Sequence, residues 1–392
     1  MRVIISSLTK FHAFYLAEQL DKHGYLQKII TSFYSQKSLF FQRLKKDPEK
    51  INPEKVITNI FPILTGILLS KVPLINRFDY SSKLFDKWAS TQFDECDVLV
   101  VWSNVATYTL KAAKRYSAIS VLERGSTHIL FQNEILQEEY NKYGLKIKPI
   151  DEQVIQEDLV NYSIADYISV PSRFAKQTYI DQGIDSKKII QIPFGVDLKT
   201  FRPVLKEDKI FRVIFAGGLS LRKGLHYLLE AFSGLKLKNA ELLLIGPVNP
   251  EINQALKKYR GCYKYLETVP HTELYKYLSQ GSVFVLPSIE EGLAMVIPQA
   301  MACGLPIICT TNSGGEEMVR DGKDGFIIPI RNIETLKEKI IYLYEHDEER
   351  KQMGKNALER AKEFTWDVYG EKIVSEYNRI LSSKELIRSK DD

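Results

Sequence analysis

The sequence predicts an α/β protein made of two doubly wound, parallel-sheet domains. Three observations predict it. Short apolar runs of strand length alternate with stretches of helix length along the chain. Such alternation makes successive strands parallel and covers both faces of the sheet. The runs fall into two series, divided at 192–203 (IPFGVDLKTFRP), where Pro193, Gly195, Asp197 and Pro203 cluster. One sheet for all 392 residues would be very wide, so each series forms its own sheet.

The elements follow in order. In the first series, 2–6 reads as a strand and 12–22 as an amphipathic helix. DVLVVW at 97–102 is an apolar run typical of a buried parallel strand. A helix at 104–116 and a strand at 119–122 follow. The strand at 167–170 ends at Pro171, and Ser172 caps a helix reaching about residue 182. In the second series, strands at 212–216, 241–245, 283–286, 306–309 and 325–328 alternate with helices at 224–232, 272–279, 296–303 and 333–345. The last helix is clearly periodic: Ile333, Leu336, Ile340 and Leu343 share a face, and Asn332 is its N-cap. The stretch 35–80 fits neither series and reads as an insert, with an apolar run at 60–75 broken by Pro62, Lys71 and Pro73. Residues 382–392 are polar and read as a frayed end. The expected units are 1–192 with the insert 35–80, then 193–365, then 366–392.

Composition excludes several classes. With 44% hydrophobic and 26% charged residues, the chain is neither disordered, collagen-like nor a coiled coil. Four scattered cysteines without a CxxC pair give no disulfide framework and no zinc or redox motif, so a reducing, cytoplasmic setting is expected. Residues 1–7 lack the apolar core of a signal peptide, and no transmembrane helix is expected. The net charge is +5, but residues 1–80 hold 12 Lys and Arg against 6 Asp and Glu. That excess predicts contact with something anionic, a phosphate or a membrane surface at which the protein is peripheral. Nucleic acid is not expected, because no basic run is interleaved with aromatics.

Four segments carry chemistry. FAGGLSLRKG at 215–224 ends a strand with Gly217 and Gly218 and opens a helix with Arg222 and Lys223. Glycines admit a ligand close to the backbone, and free amides beside two cations suit a phosphate. The segment is neither a GxGxxG fingerprint nor a P-loop. LPSIEEGLAMVIPQAMACG at 286–304 puts Glu290 and Glu291 at the carboxyl end of a parallel strand, where ligands bind in open sheets. Pro298 sits in the first turn of the helix that follows, and Gly304 ends it. TTNSGGEE at 310–317 places Gly314 and Gly315 after a strand, a second anion or ribose site at a helix start. LERGSTHI at 122–129 brings Glu123, Arg124 and His128 to a strand end, and His12 opens the first helix. HExxH, GxSxG and a DxD between apolar residues are absent, which disfavours a metal-held diphosphate. No metal and no cofactor are expected.

Together these residues resemble glycosyltransferase family 4, whose GT-B fold sets two Rossmann-like domains across a cleft. The likeness covers most of the chain and is strongest from 169 to 329. Gly217, Lys223 and Gly224 match the family's donor pattern, but Gly218 stands where the family has Arg, and the resemblance leaves that charge to Arg222. Glu291 fits the first of two glutamates that the family spaces by seven residues; Gln299 stands at the second. In HAFYLAEQL, His12 matches the family's His, while Ser6 and Ser7 replace its usual glycine pair. His128 or Arg124 fills the position of the first domain's active-site His, and His128 is preferred. The segment 364–381 is similar to the helix that crosses back to the first domain.

The resemblance implies a retaining, metal-independent hexosyltransferase. It would move a sugar from a nucleotide-diphosphate donor to a glycan or lipid-linked acceptor in surface polysaccharide or glycolipid assembly. His128 and Glu291 are the expected catalytic residues. The donor side would comprise Gly217, Gly218, Arg222, Lys223, Glu290, Glu291, Gly292, Leu293, Ala294, Gln299, Gly314 and Gly315, with His12 and Arg124 on the acceptor or sugar side. Two alternatives stay open: a non-catalytic sugar-nucleotide-binding subunit, and a GT-B relative such as an epimerase.

Overall fold

The structure is a computed structural model that describes residues 1–10, 12–34, 51–69 and 77–391. Its strands form two all-parallel sheets. The first holds β1 (Val3–Ser7), β2 (Leu26–Thr31), β3 (Val56–Thr58), β4 (Val98–Trp102), β5 (Ile119–Glu123), β6 (Tyr167–Val170) and β7 (Ile189–Gln191), in the order β3-β2-β1-β4-β5-β6-β7. The second holds β8 (Phe211–Ala216), β9 (Ala240–Ile245), β10 (Lys264–Leu266), β11 (Val283–Leu286), β12 (Ile307–Thr310) and β13 (Gly325–Ile328), in the order β10-β9-β8-β11-β12-β13.

The strand order explains the sequence pattern. β1, β4, β5, β8 and β11 are buried along their whole length, because helices cover both faces. Strand order reverses between β1 and β4 in one sheet and between β8 and β11 in the other. Crevices open beyond the carboxyl ends of strands at such points. The loops after β8 and β11 therefore border the natural ligand position of the second sheet.

The chain crosses between the sheets twice, and the two crossings touch. Val196 donates its amide to the Phe364 carbonyl at 2.8 Å. A Cβ on Gly195 would lie 2.5 Å from the Trp366 nitrogen, so only glycine fits there. The helix Trp366–Asp391 then returns to the first sheet's side. Trp366 stacks on Tyr15 with ring centroids 4.0 Å apart, and Asp367 accepts from Gln19 at 3.0 Å and Lys22 at 2.8 Å. This helix continues to Asp391, past the frayed end expected at 382. Its last turns are rich in Lys, Glu, Leu and Arg, which favour helix.

Part of the insert is described. Phe61–Leu69 forms a helix with Pro62 in its first turn, where proline is tolerated. Phe61, Leu64, Ile67 and Leu68 on it are exposed, Leu68 by 71%. The basic residues Lys37, Arg43, Lys45, Lys46, Lys50 and Lys71 of the insert lie outside the described residues, as do Pro73 and Ile75. Among the described residues no helix is long and apolar enough to cross a membrane.

Candidate active site between the two sheets

The second sheet supplies three loops that are tied together. After β8, Gly217 and Gly218 lead to buried Leu219 and Leu221, which anchor the loop and leave Arg222 and Lys223 partly exposed. Open space lies beside Gly218. Gly224 adopts φ +67°, and a Cβ there would sit 1.9 Å from the Pro287 carbonyl. The 217–224 loop thus packs directly on the loop after β11, and Ile289 donates its amide to the Arg222 carbonyl at 2.8 Å. The loop after β12 joins through Glu291, whose amide donates to the Asn312 carbonyl at 2.9 Å.

Two adjacent glutamates take different roles. Glu291 meets Lys223 at 2.5 Å and Arg222 at 3.5 Å and is nearly buried. Glu290 is completely buried and turns toward the first domain. Its Oε1 accepts from Ser126 Oγ at 2.7 Å, Thr127 N at 3.2 Å and Thr127 Oγ1 at 2.6 Å. Its Oε2 accepts from Gln132 at 2.9 Å and Arg222 Nε at 2.7 Å. Burial alone would raise its pKa; the Arg222 charge and the hydroxyl donors outweigh that and hold it down at about 2. The expected donor role of Glu290 is therefore replaced by a contact across the domain seam, because its lone pairs already face donors.

The first domain delivers its groups on the segment after β5. Arg124 is buried and donates to Ser103 at 3.1 Å and Gln132 at 2.9 Å, beside Asp158 at 3.2 Å. Burial opposes the Arg124 charge, but Asp158 more than compensates and raises its pKa. His128 is buried between Tyr162 and Tyr179, with ring centroids 4.9 and 5.1 Å away. Its Nδ1 accepts from the Leu130 amide at 3.3 Å and so caps the helix Ile129–Lys142. Burial and the Arg124 charge push its pKa down to about 4. The structure thus packs the expected catalytic histidine into the first domain's interior as a neutral cap. His12 is also buried, pairs with Glu123 at 3.0 Å and packs against Trp102 and Phe194.

The two sets meet at a glycine contact. A Cβ on Gly292 would lie 2.3 Å from the Gly125 carbonyl, and one on Gly314 would lie 2.2 Å from the Gly292 carbonyl. The loops after β5, β11 and β12 are therefore stacked backbone on backbone. Beside this stack opens a cleft of about 490 Å³ lined by Arg124, Gln132, Gly218, Ser220, Arg222 and Lys223, among others. Leu293 and Ala294, on the loop after β11, are buried.

Other expected members stand apart from these contacts. The Gly315 amide donates to Ser313 Oγ at 3.1 Å, and Gly315–Glu317 is a three-residue turn without a useful helix dipole. The expected anion site there is corrected accordingly. Glu316 and Glu317 instead accept the amides of Phe174 and Arg173 at 3.0 and 2.6 Å, capping the helix Arg173–Asp181 from across the seam. Gln299 is nearly buried and lies 3.1 Å from His271 Nε2. Glu123 was read at the end of its strand, whereas Ser126, Thr127 and Gln132 were not singled out from the sequence. Their only signal was position, in or next to the 124–128 loop.

The overall arrangement has known counterparts. The Anabaena protein HepE, solved in complex with UDP and glucose, superposes with a TM-score of 0.70 at 15% identity, covering 97% of this chain and 100% of that one. The fold is GT-B. Within this GT-B chain, residues 197–360 match the family model of glycosyl transferases group 1. That span holds the 217–224, 287–294 and 310–317 loops. An uncharacterized glycosyltransferase of Methanocaldococcus jannaschii is 32% identical over 155 residues, which cover 39% of this chain and 44% of that protein. The N,N'-diacetylbacillosaminyl-diphospho-undecaprenol alpha-1,3-N-acetylgalactosaminyltransferase of Campylobacter jejuni is 25% identical over 258 residues, 59% of this chain and 68% of that protein. The GT-B chain spans about half the length of the first curated relatives it matches.

Proposed function

We propose that the chain is a retaining, metal-independent hexosyltransferase of the glycosyltransferase family 4 type. It moves a sugar from a nucleotide-diphosphate donor to a glycan or lipid-linked acceptor in surface polysaccharide or glycolipid assembly. The observation that carries this reading is the cleft, with Gly218, Arg222 and Lys223 on one wall and Arg124 and Gln132 on the other. The group 1 match and the relatives that are glycosyltransferases support it. UDP and glucose bound to a protein of the same fold support a nucleotide-sugar donor.

The charges suit the reaction. As the bond between the sugar's anomeric carbon and the diphosphate breaks, negative charge builds on the leaving phosphate. Lys223 and Arg222 supply fixed positive charge there, each contact worth about 3–4 kcal/mol in the barrier. They are preorganised, because Glu291 already holds both. Donor phosphates exchange with Glu291 for Lys223, which frees the Glu291 carboxylate to accept from sugar hydroxyls. Arg124 lines the cleft, and His12, buried beside Gly125, is assigned with it to the sugar or acceptor side, while domain closure keeps water from the donor. The division into 1–192, 193–365 and 366–392 is adopted as the functional one, with donor loops in the second unit.

The exposed apolar face of Phe61–Leu69, together with the basic excess in residues 1–80, supports a peripheral position at the inner face of an anionic membrane. The working test of the function is a thermal-shift screen of nucleotide sugars on the full chain. A donor at 100 times its Kd adds about 2.7 kcal/mol of stability. One nucleotide class should raise the melting temperature while its free sugar does not; equal, null responses to every nucleotide sugar would remove the reading.

A further inference from the structure

We propose that Glu290 is a positioning residue that fixes how the two domains close, by tying the 125–128 loop of the first domain to Arg222 of the second. In its word "positioning" the inference rests on the transferase reading above. Glu290 is fully buried on the loop after β11, and every contact of its carboxylate is with a donor. Ser126 Oγ at 2.7 Å, Thr127 N at 3.2 Å, Thr127 Oγ1 at 2.6 Å and Gln132 Nε2 at 2.9 Å reach it from the first domain. Arg222 Nε reaches it from the second at 2.7 Å. No lone pair remains for a sugar hydroxyl, whereas among the described residues the neighbouring Glu291 carboxylate meets the Lys223 and Arg222 cations.

The contact belongs to a longer chain of charges. Asp158 holds Arg124, Arg124 donates to Gln132, Gln132 donates to Glu290, and Glu290 holds Arg222, which also faces Glu291. A relative shift of the domains breaks four donors to one buried charge at once, which is costly. Beside the Glu316 and Glu317 contacts, Glu290 thereby holds the seam next to the cleft, and the same carboxylate aims the Arg222 guanidinium at the phosphate end of the cleft.

Glu290→Gln tests this, because its amide nitrogen must face one of five donors and its charge is gone. Hydrogen exchange at the Thr127 amide, small-angle scattering without ligand, and kcat and KM for donor and acceptor are compared with wild type. The expected result is about tenfold faster Thr127 exchange, a larger radius of gyration, and a kcat lowered about tenfold or more with donor KM little changed. Glu290→Asp, which keeps the charge, should recover part of kcat. If Glu290→Gln fails to fold, Gln132→Ala removes one link and should show the same pattern at smaller size. Unchanged Thr127 exchange overturns the proposal. So does a raised donor KM with unchanged kcat, which would make Glu290 a donor ligand. Failure of the transferase reading looks different: wild type turns over no donor, while exchange and scattering still decide whether Glu290 holds the seam.

Discussion

Lys223 separates the proposed donor site from the fold cleanly. It is partly exposed, and its Nζ lies 2.5 Å from Glu291 in a loop anchored by other residues. Lys223→Ala should lower kcat by about 10²–10³-fold, the loss of one preorganised charge. Its melting temperature should fall by no more than about 4 °C, because Arg222 still faces Glu291. Wild-type turnover in that variant removes Lys223 from the site. His128 makes a different prediction. Its ordinary pKa is about 6.5, and the fold holds it at about 4. Between those values the unfolded chain binds a proton that the folded chain refuses, so stability falls as pH drops from about 6.5 to about 4, by about 3 kcal/mol. Urea unfolding of wild type and His128→Asn across that range checks it; the variant keeps a capping oxygen and should show a shallower slope. At this scale the sequence was partly legible. That Lys223 and Glu291 both stand in loops at strand ends was read from the sequence, but their ion pair and the reach of Glu290 to Gln132, 158 residues away, are made only by the tertiary fold.

Elements were legible where packing agreed with pattern. β6, β11 and β13 have the bounds read from the sequence, and Asn332 caps its helix by accepting from the Thr335 amide at 2.9 Å. β3, β7 and β10 were missed because each is a three-residue strand at a sheet edge, too short to show a period. β2 was missed because LQKIIT mixes polar and apolar residues. The helix Phe61–Leu69 is a different case: its apolar run, read as an insert outside both series, exposes four large apolar side chains. Vesicle flotation tests what covers them. Wild type should float with anionic vesicles at low salt, and Phe61→Ser with Leu68→Ser should shift most of the protein to the soluble fraction. A wild type that stays soluble with anionic lipid contradicts the membrane role.

At the scale of the whole molecule, two domains joined by two touching crossings meet at a stack of glycine backbones. The sequence showed the two series and the break between them, because turn formers at 192–203 interrupt the pattern. It did not show the contacts across the seam. Glu290 was read as a donor-side residue and Glu316 and Glu317 as acids in a helix's first turn, and each caps or pairs with a group of the other domain. Magnesium should not be required, since Arg222 and Lys223 are placed to carry the phosphate charge; activity in EDTA equal to that in magnesium is the expected outcome, and a loss restored only by magnesium contradicts it. The central claim is that this cleft transfers sugar from a nucleotide-diphosphate donor. Its most direct measurement is release of nucleoside diphosphate from a panel of nucleotide sugars by the purified full chain, run beside Lys223→Ala. The account predicts release from one donor class by wild type and its near loss in the variant. Release from no donor, or equal release by both proteins, would contradict it.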